Sequence, residues 1–330
     1  MKDHTPVSEI GERSLISRLS GMLNCGCDPE VRIGAGGDDC AVIDISEEEY
    51  MVITTDMLHR KTDFPVQMTP WQIGWMSAAV NLSDVASMGA RPVGFLSAMG
   101  FSKETDISFV EDISKGMDDC ARFCGTSVIG GDIDTHDELT ITGTALGKVK
   151  KSELLTRKGA KVGDVVCVTG FAGSAGAALH AIENGIDIPD SLLDKLLTPI
   201  PRIMDGMALA HSGAVTCMMD TSDGLAMSLY DLADLNEVGF RIDEDALPIQ
   251  PEVSQYITSD ETTLTELALY TGGDFELLFT VSPDMLEAAQ SVCYLNVIGV
   301  VVERELGTGI TCRNGQNLTI NRKGYLQLGD

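Results

Sequence analysis

Apolar residues in the first half of the chain fall into short alternating runs interrupted by one long segment of helical period. Residues 40–45 and 50–55 read as two strands around the acidic turn Glu47-Glu48-Glu49, the second ending on Thr54-Thr55-Asp56. From Trp71 to Met88 the apolar spacing is helical until Gly89 and Pro92 stop it, which puts Asn81 and Asp84 on one face of the last turns. A strand over 94–99, a helix over 107–123 and a strand ending at Gly130-Gly131-Asp132 follow. Residues 139–149 alternate through Ile141, Gly143, Ala145, Gly147 and Val149, a strand with one small-residue face suited to close backbone approach.

The Lys-, Arg- and Gly-rich stretch 148–161 has few large apolar residues and reads as a linker. Beyond it the pattern restarts with a strand over 165–169, a Gly-rich turn and a helix over 175–185. A helix then begins at Pro201, since proline suits the first helical position. Strand 214–219 runs into Asp220, and helix 224–234 starts at Ser222-Asp223. Strand 276–282, helix 284–291 and strand 296–302 close the chain. Strands and helices alternating in both halves predict an α/β (α+β) protein of two domains, 1–150 and 151–330. No internal repeat is visible.

The 330 residues are 44% hydrophobic, enough for real cores. A formal charge of −27 argues against nucleic acid as a partner, because phosphate backbones are bound by lysine and arginine surfaces. Nine cysteines without a paired CxxC framework read as reduced buried thiols; Cys25 with Cys27, or Cys120 with Cys124, lack a second pair or histidines at zinc spacing. With no basic-plus-apolar leader and no run of about 18 apolar residues, the expectation is a soluble cytoplasmic protein without a membrane partner.

Six segments deliver an aspartate from a glycine- or hydroxyl-rich turn. They are Gly37-Asp38-Asp39, Thr54-Thr55-Asp56, Asn81-Leu82-Ser83-Asp84, Gly130-Gly131-Asp132, Asp220-Thr221-Ser222-Asp223 and Gly272-Gly273-Asp274. Each alone is an ordinary turn. Gathered together they concentrate negative charge that hard cations would neutralise, and magnesium, with one or two carboxylates per ion plus phosphate oxygens, suits such a supply. That predicts phosphoryl transfer. Gly143 to Lys148 lacks P-loop spacing, Ala172 replaces a glycine of the dinucleotide fingerprint, and no kinase HRD or DFG set, histidine pair or nucleophile elbow is present.

Taken in order, these motifs resemble the thiamine-monophosphate kinase family of the PurM-like, AIR-synthase-related superfamily over nearly the whole chain. The matching residues are Gly11-Glu12 with Leu15-Ile16, Gly37-Asp38-Asp39, Thr54-Thr55-Asp56-Met57-Leu58 and Ala79 to Asp84 continuing to Met88-Gly89-Ala90-Arg91-Pro92. Further along come Gly130-Gly131-Asp132, Arg157-Lys158-Gly159-Ala160, Asp220 to Leu225, Gly273 to Leu278 and Lys323-Gly324-Tyr325. The resemblance implies ATP-dependent phosphorylation of thiamine monophosphate by direct transfer assisted by several magnesium ions. Asp39, Thr54, Thr55, Asp56, Asp84, Asp132, Asp220 and Asp223 would hold metal. Gly131, Asp132, Arg157 and Ser222 would contact ATP, and Asp63, Asp274 and Tyr325 the acceptor. No general base is expected, because the acceptor is already a phosphate oxygen ionised at neutral pH.

The family fold it implies is an N-terminal dimerising domain with a C-terminal domain covering the cleft, and the small-residue face of strand 139–149 suggests a homodimer built through N-terminal strands. Two departures stand out. Asp63 occupies the place of a family histidine before Phe64, and Asp274 stands where the family carries two acids. The rivals are another superfamily enzyme acting on a different acceptor and a non-catalytic nucleotide-binding relative. Hydrogenase-maturation relatives would carry a C-terminal cysteine where this chain reads Leu328-Gly329-Asp330, and selenophosphate synthetases a lysine-flanked Cys that Cys25 and Cys27 do not match.

Overall fold

The structure, a computed structural model, describes residues 6–23, 28–256 and 263–327; Cys25, Cys27 and the segment 328–330 lie outside them. Two mixed sheets organise the chain. The first contains β1 (Val31–Ile33), β2 (Ala41–Asp44), β3 (Glu49–His59), β4 (Arg91–Phe101), β5 (Val128–Thr135) and β6 (Thr140–Lys150), in the order β1-β2-β3-β6-β4-β5. Its pairs are antiparallel except β4 with β5, which helix α3 (Ile107–Phe123) connects. The second contains β7 (Val165–Val168), β8 (Val215–Asp220), β9 (Val238–Asp243), β10 (Leu277–Val281), β11 (Asn296–Glu303), β12 (Thr308–Thr311) and β13 (Asn317–Thr319), in the order β13-β12-β9-β11-β7-β10-β8. The other helices are α1 (Glu12–Ser20), α2 (Pro70–Ser87), α4 (Ser174–Asn184), α5 (Asp190–Leu197), α6 (Ile203–Ser212), α7 (Leu225–Asn236), α8 (Val253–Tyr256), α9 (Leu264–Tyr270) and α10 (Leu286–Val292).

Helix α2 lies between the halves, against β3 and β6 on one side and α6 and β8 on the other. Its sequence is apolar or small all round, as a helix without a solvent face must be. From Met76 to Ala90 every residue except Asp84 is buried. Thr69 and Gln72 form a capping box at its start, with Pro70 at the first helical position. Gly74 and Gly116 let α2 and α3 touch backbone to backbone: a Cβ at Gly74 would stand 1.9 Å from the Ile113 carbonyl oxygen, and one at Gly116 1.9 Å from that of Trp71. One core therefore runs from Val52 and Ile73 through Leu82 to Leu209 and Phe279, spanning both sheets.

The face of β6 carrying Ile141, Gly143, Ala145 and Gly147 is buried beneath this helix, with Gly143 against Asn81 and Gly147 against Val85. The small residues thus serve an intrachain contact, not a dimer seam. Other expectations shift by a few residues. Helix α6 begins at Ile203, leaving Pro201 ahead of it with Arg202 at the cap, and β5 continues past Asp132 to Thr135. Cys40, Cys120, Cys124, Cys167, Cys217 and Cys293 are buried free thiols. No helix among the described residues is long and apolar enough to cross a membrane.

Candidate functional site

The site forms where the end of α2 meets the end of β8 and the loop before β2. Oxygens of Asp39, Asp84 and Asp220 lie within 4.8 Å of one another, the spacing one or two hard cations need from carboxylates. Three hydroxyls aim them. Thr54 Oγ1 donates to Asp84 Oδ2 at 2.5 Å, Ser83 Oγ to Asp220 Oδ2 at 2.6 Å and Ser87 Oγ to Asp39 Oδ2 at 2.5 Å. Ser83 belongs to the Asn81-Leu82-Ser83-Asp84 motif, whereas Ser87, one turn after Ser83 and three residues after Asp84, carried no sequence signal of its own. Asn81 ties in β3: its Oδ1 accepts from the Asp56 amide at 3.0 Å while its Nδ2 donates to the Ser77 carbonyl at 3.1 Å.

Asp39 also accepts from Arg157, at 2.7 Å from Nε and with a second contact from Nη2, and the Arg157 amide donates to Asp38 Oδ2 at 3.0 Å. Ser222 Oγ donates to Asp220 Oδ1 at 2.8 Å. Asp223 next door is paired by Arg13 at 3.1 Å. The loop carrying these residues is clamped by glycines: a Cβ at Gly272 would stand 2.4 Å from the Ser222 carbonyl, and one at Gly324 2.3 Å from that of Asp223. Gly273 and Tyr325 amides donate to those two carbonyls at 2.9 and 3.0 Å.

So much acid in one place is electrostatically uncomfortable. Burial, then the charges of Asp220, Asp223 and Asp39, pushes Asp56 up to about 6; burial and Asp39 push Asp38 up to about 7. Burial pushes Asp223 up to about 6 against the pull of Arg13. Asp84 and Asp220 rise for the same reasons, burial first and neighbouring carboxylates second. The dipole of α2 adds to the effect, since Asp84 sits at its negative end. Carboxylates that stay together under this repulsion form a donor set that a divalent cation fits.

Two cavities open on the cluster. One, of about 330 Å³, is lined by Asp56, Asp84, Ser222 and Asp223 together with Met57, Leu58, Met76, Val80, Phe275 and Tyr325. Phe275 holds a left-handed φ of 51°, a strained conformation at its wall. Apart from Tyr325, this apolar lining was not legible in the sequence, because Met57 and Leu58, Met76 and Val80, and Phe275 come from three separate segments. The other cavity lies across Asp223, between Arg13, Gly37, Asp38 and Arg157.

Asp63 and Tyr325 also line the first cavity and bond to each other. Tyr325 donates its hydroxyl to Asp63 Oδ1 at 3.1 Å, and Gln327 Nε2 donates to the same oxygen at 2.5 Å; the His59 amide and Thr62 hydroxyl, both at 2.7 Å, satisfy Oδ2. Asp63 therefore fastens the C-terminal segment over the cavity. Asp274 stands apart. Its carboxylate accepts from the Gly173 and Ala175 amides at 2.5 and 2.9 Å, capping α4 in place of a side chain that Gly173 lacks. Burial pushes it up to about 7 in spite of those donors, and among the cavities it lines one beside Arg202 and Glu276 rather than the acidic cleft. Asp274, expected to contact substrate, is here bonded to the start of α4 and stands outside the lining of both cavities of the cleft.

Gly131, Asp132 and Thr55 are not drawn into the cluster. Register runs Asp132–Ala98–Thr142–Met57 across the sheet, so Asp132 is three strand spacings, roughly 14 Å, from β3. Thr54 and Asp56 point towards α2, and Thr55, between them, points to the open face with Met57. Thr55 donates to the Gly143 carbonyl at 2.7 Å.

Comparison with known proteins accounts for the arrangement. Residues 37–149 match the N-terminal domain of AIR synthase related proteins and 161–311 their C-terminal domain. The thiamine-monophosphate kinase of Methanospirillum hungatei JF-1 is 40% identical over 290 residues, 88% of this chain and 92% of its own. That of Escherichia coli K12 is 32% identical, covering 96% and 97%. Among solved structures, AaThiL complexed with AMPPCP and TMP superposes with a TM-score of 0.85 at 26% identity, covering 99% of this chain and 100% of that one. The hydrogenase maturation protein HypE, at 19% identity and a TM-score of 0.73, shares the fold. With these likenesses running almost end to end, the chain belongs to the thiamine-monophosphate kinase family of AIR synthase related proteins.

Proposed function

We propose that this chain transfers the γ-phosphoryl group of ATP to thiamine monophosphate, forming thiamine diphosphate and ADP. The observation that carries the reading is one cavity lined by two unlike sets of side chains: the carboxylates Asp56, Asp84 and Asp223, and the apolar or aromatic Leu58, Met76, Val80, Phe275 and Tyr325. An acceptor with aromatic rings and a phosphate tail matches that division. The related complex with AMPPCP and TMP, a nucleotide analogue beside the acceptor, supports it.

Asp39, Asp56, Asp84, Asp220 and Asp223, with Thr54, would hold Mg²⁺, which when bound neutralises the two phosphate chains and permits in-line transfer. Arg157 and Ser222 border the same cluster and suit the nucleotide phosphates. The acceptor oxygen is ionised at neutral pH, so the chain need only bind, align and exclude water. Tyr325, held by Asp63, closes the acceptor cavity. Thr55, Gly131 and Asp132 enter the reading through a homodimer: the open face of the first sheet leaves Met57 and Thr55 exposed and Leu96 and Leu146 partly so, and a second copy covering it would meet Asp132. Light scattering that finds a monomer at micromolar protein contradicts this part. The nucleotide substrate implies a cytoplasmic setting. With ATP and Mg²⁺, purified protein is expected to convert thiamine monophosphate to the diphosphate and to leave thiamine, which has no acceptor phosphate, unchanged; turnover of thiamine, or of neither, contradicts the proposal.

A further inference from the structure

Arg157 is not the sole guanidinium at the acidic cleft. Arg13 reaches it from the first turn of α1, a helix with no buried residue. The Arg13 fork is divided between two acids: Nη1 bonds Asp231, and Nη2 bonds Asp223 Oδ2 at 3.1 Å. Its Nε is enclosed without a hydrogen-bond partner. Asp231, on α7, lies outside the Asp39–Asp84–Asp220 cluster and is also approached by Arg322 at 3.6 Å. Asp223 borders both cavities, whereas Arg13 borders the second, in company with Arg157, Gly37 and Asp38.

We propose that Arg13 is a nucleotide-phosphate-binding residue: Asp231 anchors one arm of its guanidinium, and the arm now resting on Asp223 engages a phosphate oxygen of the nucleotide once a cation shares Asp223. The assignment rests on the kinase reading above and adds two residues to it. Asp223, if it held a divalent cation, would no longer attract Nη2, and the arm would be free to turn. A nucleotide phosphate bound beside it would be the strongest neighbouring acceptor, and a planar fork already fixed at one arm by Asp231 would lose little freedom in turning to it. Asp231 is a positioning residue, acting through Arg13.

Calorimetric titration of the purified protein with AMPPCP in Mg²⁺, and with Mg²⁺ alone, tests the assignment. Arg13→Ala is expected to weaken AMPPCP binding about 10- to 100-fold, while Mg²⁺ alone binds as well as before or better, because a competing cation has left Asp223. Asp231→Asn is expected to weaken AMPPCP less, in the same direction, and Arg13→Lys to restore part of the loss. A folded Arg13→Ala protein, checked by circular dichroism, with unchanged AMPPCP affinity overturns the proposal. So does an equal loss of Mg²⁺ and AMPPCP affinity, which would make Arg13 a structural tie for α1. Failure of the unmodified protein to bind AMPPCP in Mg²⁺ overturns the kinase reading itself, and this assignment with it.

Discussion

Asp84, in the last turn of α2, and Asp220, at the end of β8, come from opposite halves of the chain yet hold carboxylate oxygens within 4.8 Å of each other. The halves therefore meet through groups that repel. Asp84→Asn keeps an acceptor for Thr54 while removing one charge. Turnover is expected to fall by about 10³-fold or more, and the metal-free protein to melt at a higher temperature than the unmodified one. Wild-type turnover of the variant in saturating Mg²⁺ would contradict the role given to the cluster.

The raised carboxylates make stability depend on pH with a definite sign. Between the ordinary aspartate value of about 4 and the values of about 6 for Asp56 and Asp223 and about 7 for Asp38, the folded chain binds more protons than the unfolded one. Stability contributed by these groups is thus lost as pH rises through that window. Thermal melts in a chelator are expected to show a lower melting temperature at pH 8 than at pH 5.5. Added Mg²⁺, competing with those protons, is expected to stabilise more at pH 8. A metal-free protein more stable at pH 8, or an equal Mg²⁺ effect at both values, contradicts the arrangement.

Asp274 separates a structural carboxylate from a substrate-binding one. Because it caps α4 through the Gly173 and Ala175 amides, Asp274→Ala is expected to cost about 1–3 kcal/mol of stability, measured by denaturant unfolding at pH 8. The Michaelis constant for thiamine monophosphate should stay within about twofold. An unchanged unfolding midpoint with a tenfold rise in that constant reverses the assignment.

These cases mark what the sequence displays. Asp39, Asp84, Asp220 and Asp223 stood out because each lies at or beside the edge of an apolar element next to glycine or a hydroxyl, and helical spacing placed Asn81 with Asp84. Asp274 carries the same local signature, but its amide partners at the start of α4 lie 101 and 99 residues away and leave no local signal. Arg13 was invisible for a similar reason: its acids lie 210 and 218 residues along. The small face of β6 was read correctly as a close-approach surface, but periodicity does not say what approaches, and the answer is α2. β12 and β13 are too short to show a period.

Asp63 and Tyr325 carry the acceptor side. Asp63→Ala frees Tyr325 and Gln327 from the β3–α2 loop, and is expected to raise the Michaelis constant for thiamine monophosphate well above any change for ATP. Burial, and then Asp63, raises the Tyr325 hydroxyl above its ordinary value, so it remains a donor at neutral pH. Tyr325→Phe should reproduce part of the effect. Equal changes in both constants would remove Asp63 from the acceptor site.

The central claim is direct transfer between two phosphate chains with no protein nucleophile or base between them. Its most direct test follows label from γ-³²P-ATP in the purified protein with Mg²⁺, with and without thiamine monophosphate. The expected result is label in thiamine diphosphate when the acceptor is present, none in its absence, no labelled protein in either case, and loss of product on adding a chelator. Label retained on the protein, or no thiamine diphosphate from thiamine monophosphate, would contradict the account.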